Sequence, residues 1–285
     1  MAAEKLDGRA IAKTIEAELK AEIAALQNEA DLSPALAVVQ VGDDPASAWY
    51  VGQIRKSCKR VGALSQLLTL PKDATAADLT QTIQGLNQDA NVHGIIVQMP
   101  LPRHLSQEIV TDALDPRKDV DGIHPVNAGR LYQDSGDYFA PATPAGGMEL
   151  LRRYGIELRG KRAVMVGRSN IVGRPMAMLM LHQHASVAIC HSRTPDLGEE
   201  TRRADVLVAA VGRPGIITGD MIRPGAVVID FGANVVEDML VGDVDTDAAM
   251  EVASYVTPVP GGTGPMTNAM LMGNLVSAAK RQRGL

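Results

Sequence analysis

Cysteine is scarce in this 285-residue sequence, which contains only Cys58 and Cys190. The two lie far apart, in apolar or helical contexts, whereas small disulfide-stabilised proteins carry several closely spaced pairs. We therefore expect two buried free thiols, as in a protein of the reducing cytoplasm.

Excess positive charge and long apolar runs are also missing. The net charge is −5, so no basic stripe is available to neutralise nucleic-acid phosphates. No apolar run approaches the roughly 20 residues that cross a bilayer, and the N-terminus has no apolar signal segment. We expect a cytoplasmic protein that binds neither nucleic acid nor membrane.

The histidines do not form a metal-binding pattern. Two of the six, His182 and His184, are spaced i,i+2, and side chains at that spacing diverge on a helix. Exposed or helix-capping histidines explain the spacing better, and we predict no metal site.

The composition is that of a globular α/β protein. Hydrophobic residues make up 46% and charged residues 21%, and the length allows one large domain or two modest ones with a substantial core. Strand and helix patterns alternate along the chain, which is typical of α/β folds with parallel sheets.

The first half of the chain predicts a small βαβαβ unit. Asp44 and Pro45 suit the start of a helix, as N-cap and first-turn residue. Sheets of this kind bind ligands at the carboxyl ends of their strands. Strands are predicted at 35–41, 64–70 and 94–100, and helices at 6–30, at 45–61 and after the capping pair Thr75 and Asp78.

The second half predicts a dinucleotide-binding sheet. Strands are expected at 162–166, 187–190, 206–211, 227–230 and 255–257, with a last helix at 267–280. Residues 115–144, rich in proline, glycine and aspartate, are interpreted as the connection. We therefore predict a first domain of residues 1–143 plus the C-terminal helix 268–285, and a dinucleotide-binding domain of residues 144–267.

The glycine turn after the strand at 162–166 is the candidate phosphate site. Gly167-Arg-Ser-Asn-Ile-Val-Gly173 is an imperfect Gly-x-Gly-x-x-Gly, in which Ser169 replaces the second glycine. Serine is small and its hydroxyl can itself contact phosphate, while amides at a helix N-terminus favour anions. The alternative is a tight strand-to-helix turn without a ligand.

The residues after the next strand favour NADP over NAD. NAD sites usually place a carboxylate there, about 20 residues on, for the ribose hydroxyls. This chain has His191-Ser-Arg-Thr194 instead. The hydroxyl of Ser192 and the guanidinium of Arg193 suit a 2′-phosphate, and Arg168 can add a second charge. The alternative is that Arg193 is a solvated loop residue.

Five motifs, in this order, resemble the bifunctional methylenetetrahydrofolate dehydrogenase/methenyltetrahydrofolate cyclohydrolase family. They are Val41-Gly-Asp-Asp-Pro-Ala-Ser-x-x-Tyr50, Gly94-Ile-Ile-Val-Gln-Met-Pro-Leu-Pro102, Lys118-Asp-Val-Asp-Gly122, Gly167-Arg-Ser-Asn-Ile-Val-Gly173 and Thr257-Pro-Val-Pro-Gly-Gly-Thr-Gly-Pro-Met-Thr267. The resemblance implies two α/β lobes, an N-terminal folate-binding domain and a C-terminal Rossmann-like NADP-binding domain, with the active-site cleft between them. It also implies a reduced-folate substrate, NADP as cofactor and a homodimer.

The resemblance also implies which residues form the site. Tyr50 matches the tyrosine that stacks on the folate, and Gln98 and Asp121 match the polar residues that hold the pterin; core filling by Tyr50 and an Asp-Gly turn at Asp121 are the alternatives. The implied substrate-binding residues are Ser47, Tyr50, Val97, Met99, Pro260, Gly261 and Gly262. The implied cofactor-binding residues are Gly167, Arg168, Ser169, Ile171, Gly173, Ser192, Arg193, Ala233 and Thr267.

One position departs from the family pattern. The family has a catalytic lysine four residues after the tyrosine, on the same helix face, where this chain has Ile54. Arg55 and Lys56 are rotated by about 100° and 200° from that position, so neither replaces it. Hydride transfer depends mainly on positioning, whereas hydrolysis of the methenyl group needs proton transfer. We predict a retained dehydrogenase and a weak or absent cyclohydrolase.

Three other interpretations remain open. A compensating group could keep the enzyme fully bifunctional. An NADP-linked dehydrogenase of amino or hydroxy acids would share the second domain without needing Tyr50, Gln98 and Asp121. A folate- or nucleotide-binding protein without catalysis would keep the binding motifs and lose the lysine.

Overall fold

The computed structural model describes residues 2–285, apart from the side chains of residues 45 and 46, and the chain forms two compact α/β units. The six-stranded unit contains the chain up to Lys13, Leu131–Asp134 and Pro141–Thr267. The three-stranded unit contains Thr14–Arg130, Ser135–Ala140 and Asn268–Leu285. The predicted fold class, two α/β lobes with a Rossmann-like second lobe, is confirmed.

The three-stranded unit has a parallel sheet in the order β3-β2-β4. Its strands are β2 (Ala35–Val41), β3 (Leu64–Leu70) and β4 (Gly94–Val97), and its helices include α2 (Pro45–Val61), α3 (Ala76–Gln88) and α4 (Gln107–Ala113). Helices α1 (Gly8–Ala30), α5 (Pro125–Gln133) and α10 (Thr263–Arg283) have residues in both units.

Local capping explains where α2 and α3 begin. Asp44 Oδ1 accepts a hydrogen bond from the Ser47 amide at 2.8 Å, which satisfies one of the free N–H groups of the first turn of α2. Thr75 and Asp78 form the predicted capping box at the start of α3. Gly62, in the left-handed region with φ 87°, ends α2 where a side chain would be strained.

The six-stranded sheet is parallel throughout, in the order β1-β11-β8-β7-β5-β6. Its strands are β1 (Glu4–Lys5), β5 (Arg162–Val166), β6 (Ser186–Cys190), β7 (Val206–Ala209), β8 (Val227–Asp230) and β11 (Tyr255–Val256). Alternate residues of β5, β7 and β8 enter two separate apolar clusters, so both faces of the sheet are covered, as expected for a parallel sheet.

The remaining elements of the six-stranded unit are short. They are α6 (Ala142–Arg153), α7 (Gly173–His182), α8 (Leu197–Thr201), the 3₁₀ turn Gly219–Met221, the antiparallel hairpin β9 (Asn234–Val236) and β10 (Met239–Val241), and α9 (Thr246–Val252).

Several expectations differ from the structure. The segment 115–144 is not a plain connection, since it contains α5 and the start of α6. The last helix begins at Thr263, four residues before the expected start. The two residues of β1 pair with β11, so the N-terminus belongs to the six-stranded unit, whereas the sequence suggested a first domain from residue 1.

The two cysteines are as expected. Cys58 and Cys190 are free and buried. His182 is half-buried, with Nε2 2.7 Å from the Leu131 carbonyl. Within residues 2–285, no helix combines the length and apolar character needed to cross a membrane, and no cluster of three or more potential metal ligands is found.

Candidate functional site

Tyr50 and Asp121, two of the predicted site residues, influence each other in the three-stranded unit. Tyr50 lies on α2, the helix that follows β2, and Asp121 follows the short bridge between Ile95 of β4 and Asp119. Burial and the charge of Asp121 raise the pKa of the Tyr50 phenol to about 12. Burial raises the pKa of Asp121 to about 6, although part of the residue remains accessible. The structure therefore brings these two groups together.

The other predicted folate residues of this unit lie at the carboxyl ends of adjacent strands. Val97 is the buried last residue of β4. Gln98 follows it, with its amide bonded to the Val39 carbonyl and its side chain donating to the Met99 carbonyl, both at 2.8 Å. Ser47, buried in the first turn of α2, follows β2. Parallel sheets present ligands to this edge.

Ile54 lies on the buried stripe of α2. It is 0% exposed, as are Cys58 and Val61, and Val51 is also buried; residues at this spacing occupy one helix face. Arg55 and Lys56 are exposed. The two neighbouring cations therefore lie on a different face of α2 from Ile54.

Asp119 is a buried acid near this site that the sequence analysis left without a role. Its carboxylate accepts hydrogen bonds from the amides of Ile123 and His124, at 3.1 and 2.8 Å, and from Asn127 Nδ2 at 2.7 Å, and so holds the turn before α5. Burial raises the pKa of Asp119 to about 6, and the charge of Asp121 contributes. The repeated acids of Lys118-Asp-Val-Asp-Gly122 were the available sequence signal.

Lys118, the other charged residue of that motif, holds the end of α3. Its Nζ donates to the carbonyls of Leu86 and Asp89, at 2.9 and 2.7 Å, and the side chain is largely buried. A cation suits the negative end of a helix. The Lys118 side chain therefore has a structural role in the three-stranded unit.

The glycine turn of the six-stranded unit lies where the strand order reverses. Strand β6 lies on one side of β5, and the next strand along the chain, β7, lies on the other. Ligands of doubly wound sheets bind at such a switch point, outside the carboxyl ends of the strands. The turn Gly167–Gly173 follows β5 at that edge.

The backbone of this turn is too close-packed for side chains. Gly167 has φ +127°, and a Cβ on it would lie 2.3 Å from the Ala210 oxygen. A Cβ on Gly173 would lie 2.4 Å from the Gly167 oxygen. Ser169 Oγ accepts from the amides of Val172 and Gly173, both at 3.2 Å. The turn therefore offers the close backbone approach that a pyrophosphate requires, and its geometry fits a dinucleotide.

The other predicted cofactor residues share this edge or lie in the same unit. Ser192 and Arg193 follow β6, Ala233 follows β8, and these three are exposed, as are Arg168, Ser169 and Ile171. The Arg193 amide donates to His191 Nδ1 at 3.1 Å, which shapes the loop. Thr267 is half-buried on α10, with its hydroxyl 3.3 Å from that of Thr143.

The predicted substrate-binding residues Pro260, Gly261 and Gly262 belong to the six-stranded unit. Pro260 is exposed, and Gly261 has φ +114°. The Gly261 carbonyl accepts from the Arg9 amide at 3.1 Å, and a Cβ on Gly262 would lie 2.7 Å from the Pro258 oxygen. The predicted substrate residues are thus divided between the two units.

A cavity of about 530 Å³ lies elsewhere, at the amino ends of the sheet strands. Its lining includes Tyr154, Lys161, Arg223 and Tyr255 and contains no predicted site residue. The cavity lies at the amino ends of the strands and the predicted dinucleotide site at their carboxyl ends, so the two are separate.

Two family descriptions together match most of the chain. Residues 6–121 match "Tetrahydrofolate dehydrogenase/cyclohydrolase, catalytic domain", and residues 141–283 match the "NAD(P)-binding domain" of the same family. The chain belongs to this family. The family predicted from the five motifs is thereby confirmed, and an unrelated dehydrogenase of amino or hydroxy acids is ruled out as its family.

Full-length relatives support the assignment. The bifunctional protein FolD of Chloroflexus aurantiacus is 54% identical over 286 residues, covering 100% of both chains. A solved FolD methylenetetrahydrofolate dehydrogenase/cyclohydrolase from Campylobacter jejuni is 44% identical, with a TM-score of 0.96 over 98% of this chain and 99% of that one. The Trypanosoma brucei FolD structure, complexed with NADP cofactor and inhibitor, is 38% identical, with a TM-score of 0.96 over 100% of both.

Proposed function

We propose that this protein oxidises 5,10-methylenetetrahydrofolate to 5,10-methenyltetrahydrofolate with NADP, and that its cyclohydrolase activity is weak or absent. Membership of the family carries the dehydrogenase assignment. The observation that carries the second part is the apolar, fully buried Ile54 one helical turn from Tyr50.

The three-stranded unit holds the folate in this proposal. Tyr50 offers a ring face for stacking, and its raised pKa keeps the phenol neutral. Gln98 and Asp121 bind the polar edge of the pterin, and the backbone around Val97 and Met99 supports them. Oxidation removes a hydride from the methylene bridge and leaves a cation, which the adjacent folate nitrogen stabilises with its lone pair. The protein contributes mainly orientation to that step.

The six-stranded unit holds the dinucleotide. NADP, when bound, supplies the hydride acceptor. The amides of the turn Gly167–Gly173 contact the pyrophosphate, and Arg168, Ser192 and Arg193 bind the 2′-phosphate through charge-assisted hydrogen bonds. The absence of an acid from His191-Ser-Arg-Thr194 supports NADP over NAD.

Ile54 removes a group that hydrolysis needs. Adding water to the methenyl cation and then breaking a C–N bond requires protons to be taken up and released. General acid–base catalysis contributes about 10²–10⁴-fold to such steps, and an isoleucine side chain can neither donate nor accept a proton. Hydride transfer has no such requirement, so the two activities separate.

A fully bifunctional enzyme is the second candidate, because the Chloroflexus relatives are named bifunctional. It requires a compensating proton carrier. Asp121 is a candidate, because burial raises its pKa to about 6. A binding protein without catalysis is the third.

A paired assay on one preparation separates these candidates. NADPH formation from methylenetetrahydrofolate and the enzyme-dependent loss of methenyltetrahydrofolate are followed side by side. We expect robust reduction of NADP with little hydrolysis above the spontaneous rate. Robust hydrolysis would establish the bifunctional alternative, and tight binding without NADPH formation would establish the binding protein.

We also propose that the protein is a homodimer and that it is cytoplasmic. The buried free thiols suit the reducing cytoplasm. On the hairpin β9–β10, Val235 is 73% and Met239 62% exposed, and clustered exposed apolar side chains are typical of interfaces. Light scattering should give twice the chain mass, and Val235→Glu should reduce it. A monomeric wild-type protein would contradict this proposal.

A further inference from the structure

Two buried aspartates at the carboxyl edge of the six-stranded sheet have no role in the chemistry proposed above. Asp230 is the last residue of β8, and Asp243 follows β10. Both are 0% exposed. Neither forms an ion pair with lysine or arginine in residues 2–285. A buried carboxylate without a cation must be stabilised by hydrogen bonds, so their donors identify what they hold.

Asp243 accepts four hydrogen bonds. Its Oδ2 accepts from the amides of Val211 and Gly212, at 2.6 and 3.0 Å. Its Oδ1 accepts from the Arg213 amide at 2.8 Å and from Asn234 Nδ2 at 2.9 Å. Three consecutive amides of the segment after β7 therefore converge on one carboxylate, which also binds the first residue of β9. The lone pairs of an ionised carboxylate allow about four such bonds.

Asp230 fixes the neighbouring loops in the same way. Its Oδ1 accepts from the amides of Gly232 and Asp243, at 2.7 and 3.1 Å, and its Oδ2 from the Val244 amide at 2.9 Å. Burial raises the pKa of Asp230 to about 6, and the charge of Asp243 contributes. The two acids thus act on one connected network.

Two glycines allow this close approach. A Cβ on Gly232 would lie 2.3 Å from the Asp243 amide nitrogen and 2.6 Å from its Oδ1. A Cβ on Gly242 would lie 1.9 Å from Asp230 Oδ2. The loop after β8 and the carboxylates are therefore packed against each other without room for side chains.

We propose that Asp243, supported by Asp230, is a positioning residue for the dinucleotide. It holds the segment Val211–Arg213 and the loop that contains Ala233 in the conformation in which they meet NADP. Both segments follow strands on the β7 side of the switch point, at the edge where such sheets bind dinucleotides. This inference rests on the proposed NADP site, and it assigns that site a rigid support from residues that do not touch the ligand.

Asp243→Asn is the decisive variant because it keeps the size of the side chain. It leaves a single acceptor oxygen and turns an NH₂ group toward two of the present donors. We expect the Kd for NADP, measured by calorimetry without folate, to rise at least tenfold. The KM for NADP should rise in parallel, with kcat at saturating NADP and the KM for folate within about threefold of wild type.

Asp245→Asn is the matched control. Asp245 lies two residues away and also accepts a backbone hydrogen bond, from the Ala248 amide at 3.1 Å, but it caps α9. We expect its NADP affinity to match that of the wild type. If Asp243→Asn does not fold, Asn234→Ala, which removes one donor of the network, should raise the Kd severalfold.

The outcomes distinguish the inference from the function on which it rests. The Asp243→Asn protein could fold with a lowered melting temperature and bind NADP with wild-type affinity. That result would show that Asp243 only stabilises the fold, and it would overturn the inference. An unchanged affinity in Asn234→Ala would do the same where the first variant fails to fold. Wild-type protein that binds NADP without oxidising methylenetetrahydrofolate would refute the proposed activity alone, because the binding measurement needs no turnover.

Discussion

Replacing Ile54 by lysine should create methenyltetrahydrofolate hydrolysis and destabilise the protein at the same time. The side chain at this position lies one helical turn from Tyr50, and an amine there can exchange protons with the reacting group. General acid–base catalysis contributes about 10²–10⁴-fold. We therefore expect the enzyme-dependent hydrolysis rate of Ile54→Lys to exceed that of the wild type by at least about 100-fold.

The loss of stability follows from the complete burial of Ile54. Burying such a side chain stabilises a protein by about 1.5–3 kcal/mol. Burial lowers the pKa of a lysine by up to about 3–5 units, each worth about 1.4 kcal/mol, although polar neighbours reduce this penalty. We expect Ile54→Lys to lower the free energy of unfolding by about 3–5 kcal/mol, a large part of the usual 5–15 kcal/mol or so.

The assay follows methenyltetrahydrofolate loss, NADPH formation and thermal unfolding on one preparation of each variant. Ile54→Met is the matched control, because it keeps an apolar side chain of similar volume, should cost less than about 1.5 kcal/mol and brings no amine. Rapid hydrolysis by the wild type would contradict the role proposed for Ile54. So would a folded Ile54→Lys protein that hydrolyses no faster than Ile54→Met.

Three further changes test the rest of the site. Arg193→Gln should lower the preference for NADP over NAD at least tenfold in kcat/KM, because the 2′-phosphate loses its guanidinium; an unchanged ratio would place Arg193 outside the site. Gly173→Ala should abolish NADP binding, since its Cβ would lie 2.4 Å from a backbone oxygen, whereas Gly85→Ala, with nothing within 4 Å, should leave binding intact and stabilise α3. Burial raises the pKa of Asp121 to about 6, so its contribution to stability is complete below about pH 4 and is lost as the pH rises through 6. The denaturation midpoint of Asp121→Asn should therefore rise relative to that of the wild type as the pH increases from 4 to 7. A difference between the two midpoints that does not change with pH would contradict this.

Local sequence signals are sufficient to predict an element that carries its own capping residues and follows a buried strand. The bounds of β2, α2 and β3 follow from the sequence, because Asp44, Pro45 and the residues at the end of α2 define them within a few positions. The same reasoning located β5 and the glycine turn after it. Elements of this kind depend on neighbouring residues, which the sequence displays directly.

Elements stabilised by distant partners could not be predicted in this way. The two residues of β1 show no periodicity, and they form a strand only because β11, 251 residues later, pairs with them. The start of α5 depends on the Asp119 carboxylate, and the segment was mistaken for a connection because its proline, glycine and aspartate content is typical of loops.

The same distinction between local and distant signals applies to the candidate site. The motifs predict Tyr50, Gln98 and Asp121 as site residues, since each lies in a distinctive stretch of sequence. Asp243 was missed because the amide it binds most closely, that of Val211, is 32 residues away. The burial of Ile54 was also out of reach, since a single isoleucine on an amphipathic helix does not reveal which face it occupies.

The electrostatics around Tyr50 and Asp121 give a second argument for separated activities. A nearby ammonium group would lower the pKa of both side chains, whereas burial raises the Tyr50 pKa to about 12 and the Asp121 pKa to about 6. At neutral pH Tyr50 is therefore a neutral phenol and Asp121 a mostly ionised carboxylate. No lysine at position 54 offsets the charge of that carboxylate. A negative charge stabilises the methenyl cation, which forms when hydride leaves and disappears when water adds. This arrangement is therefore a second reason to propose that oxidation is favoured over hydrolysis, and it does not depend on a proton carrier at position 54.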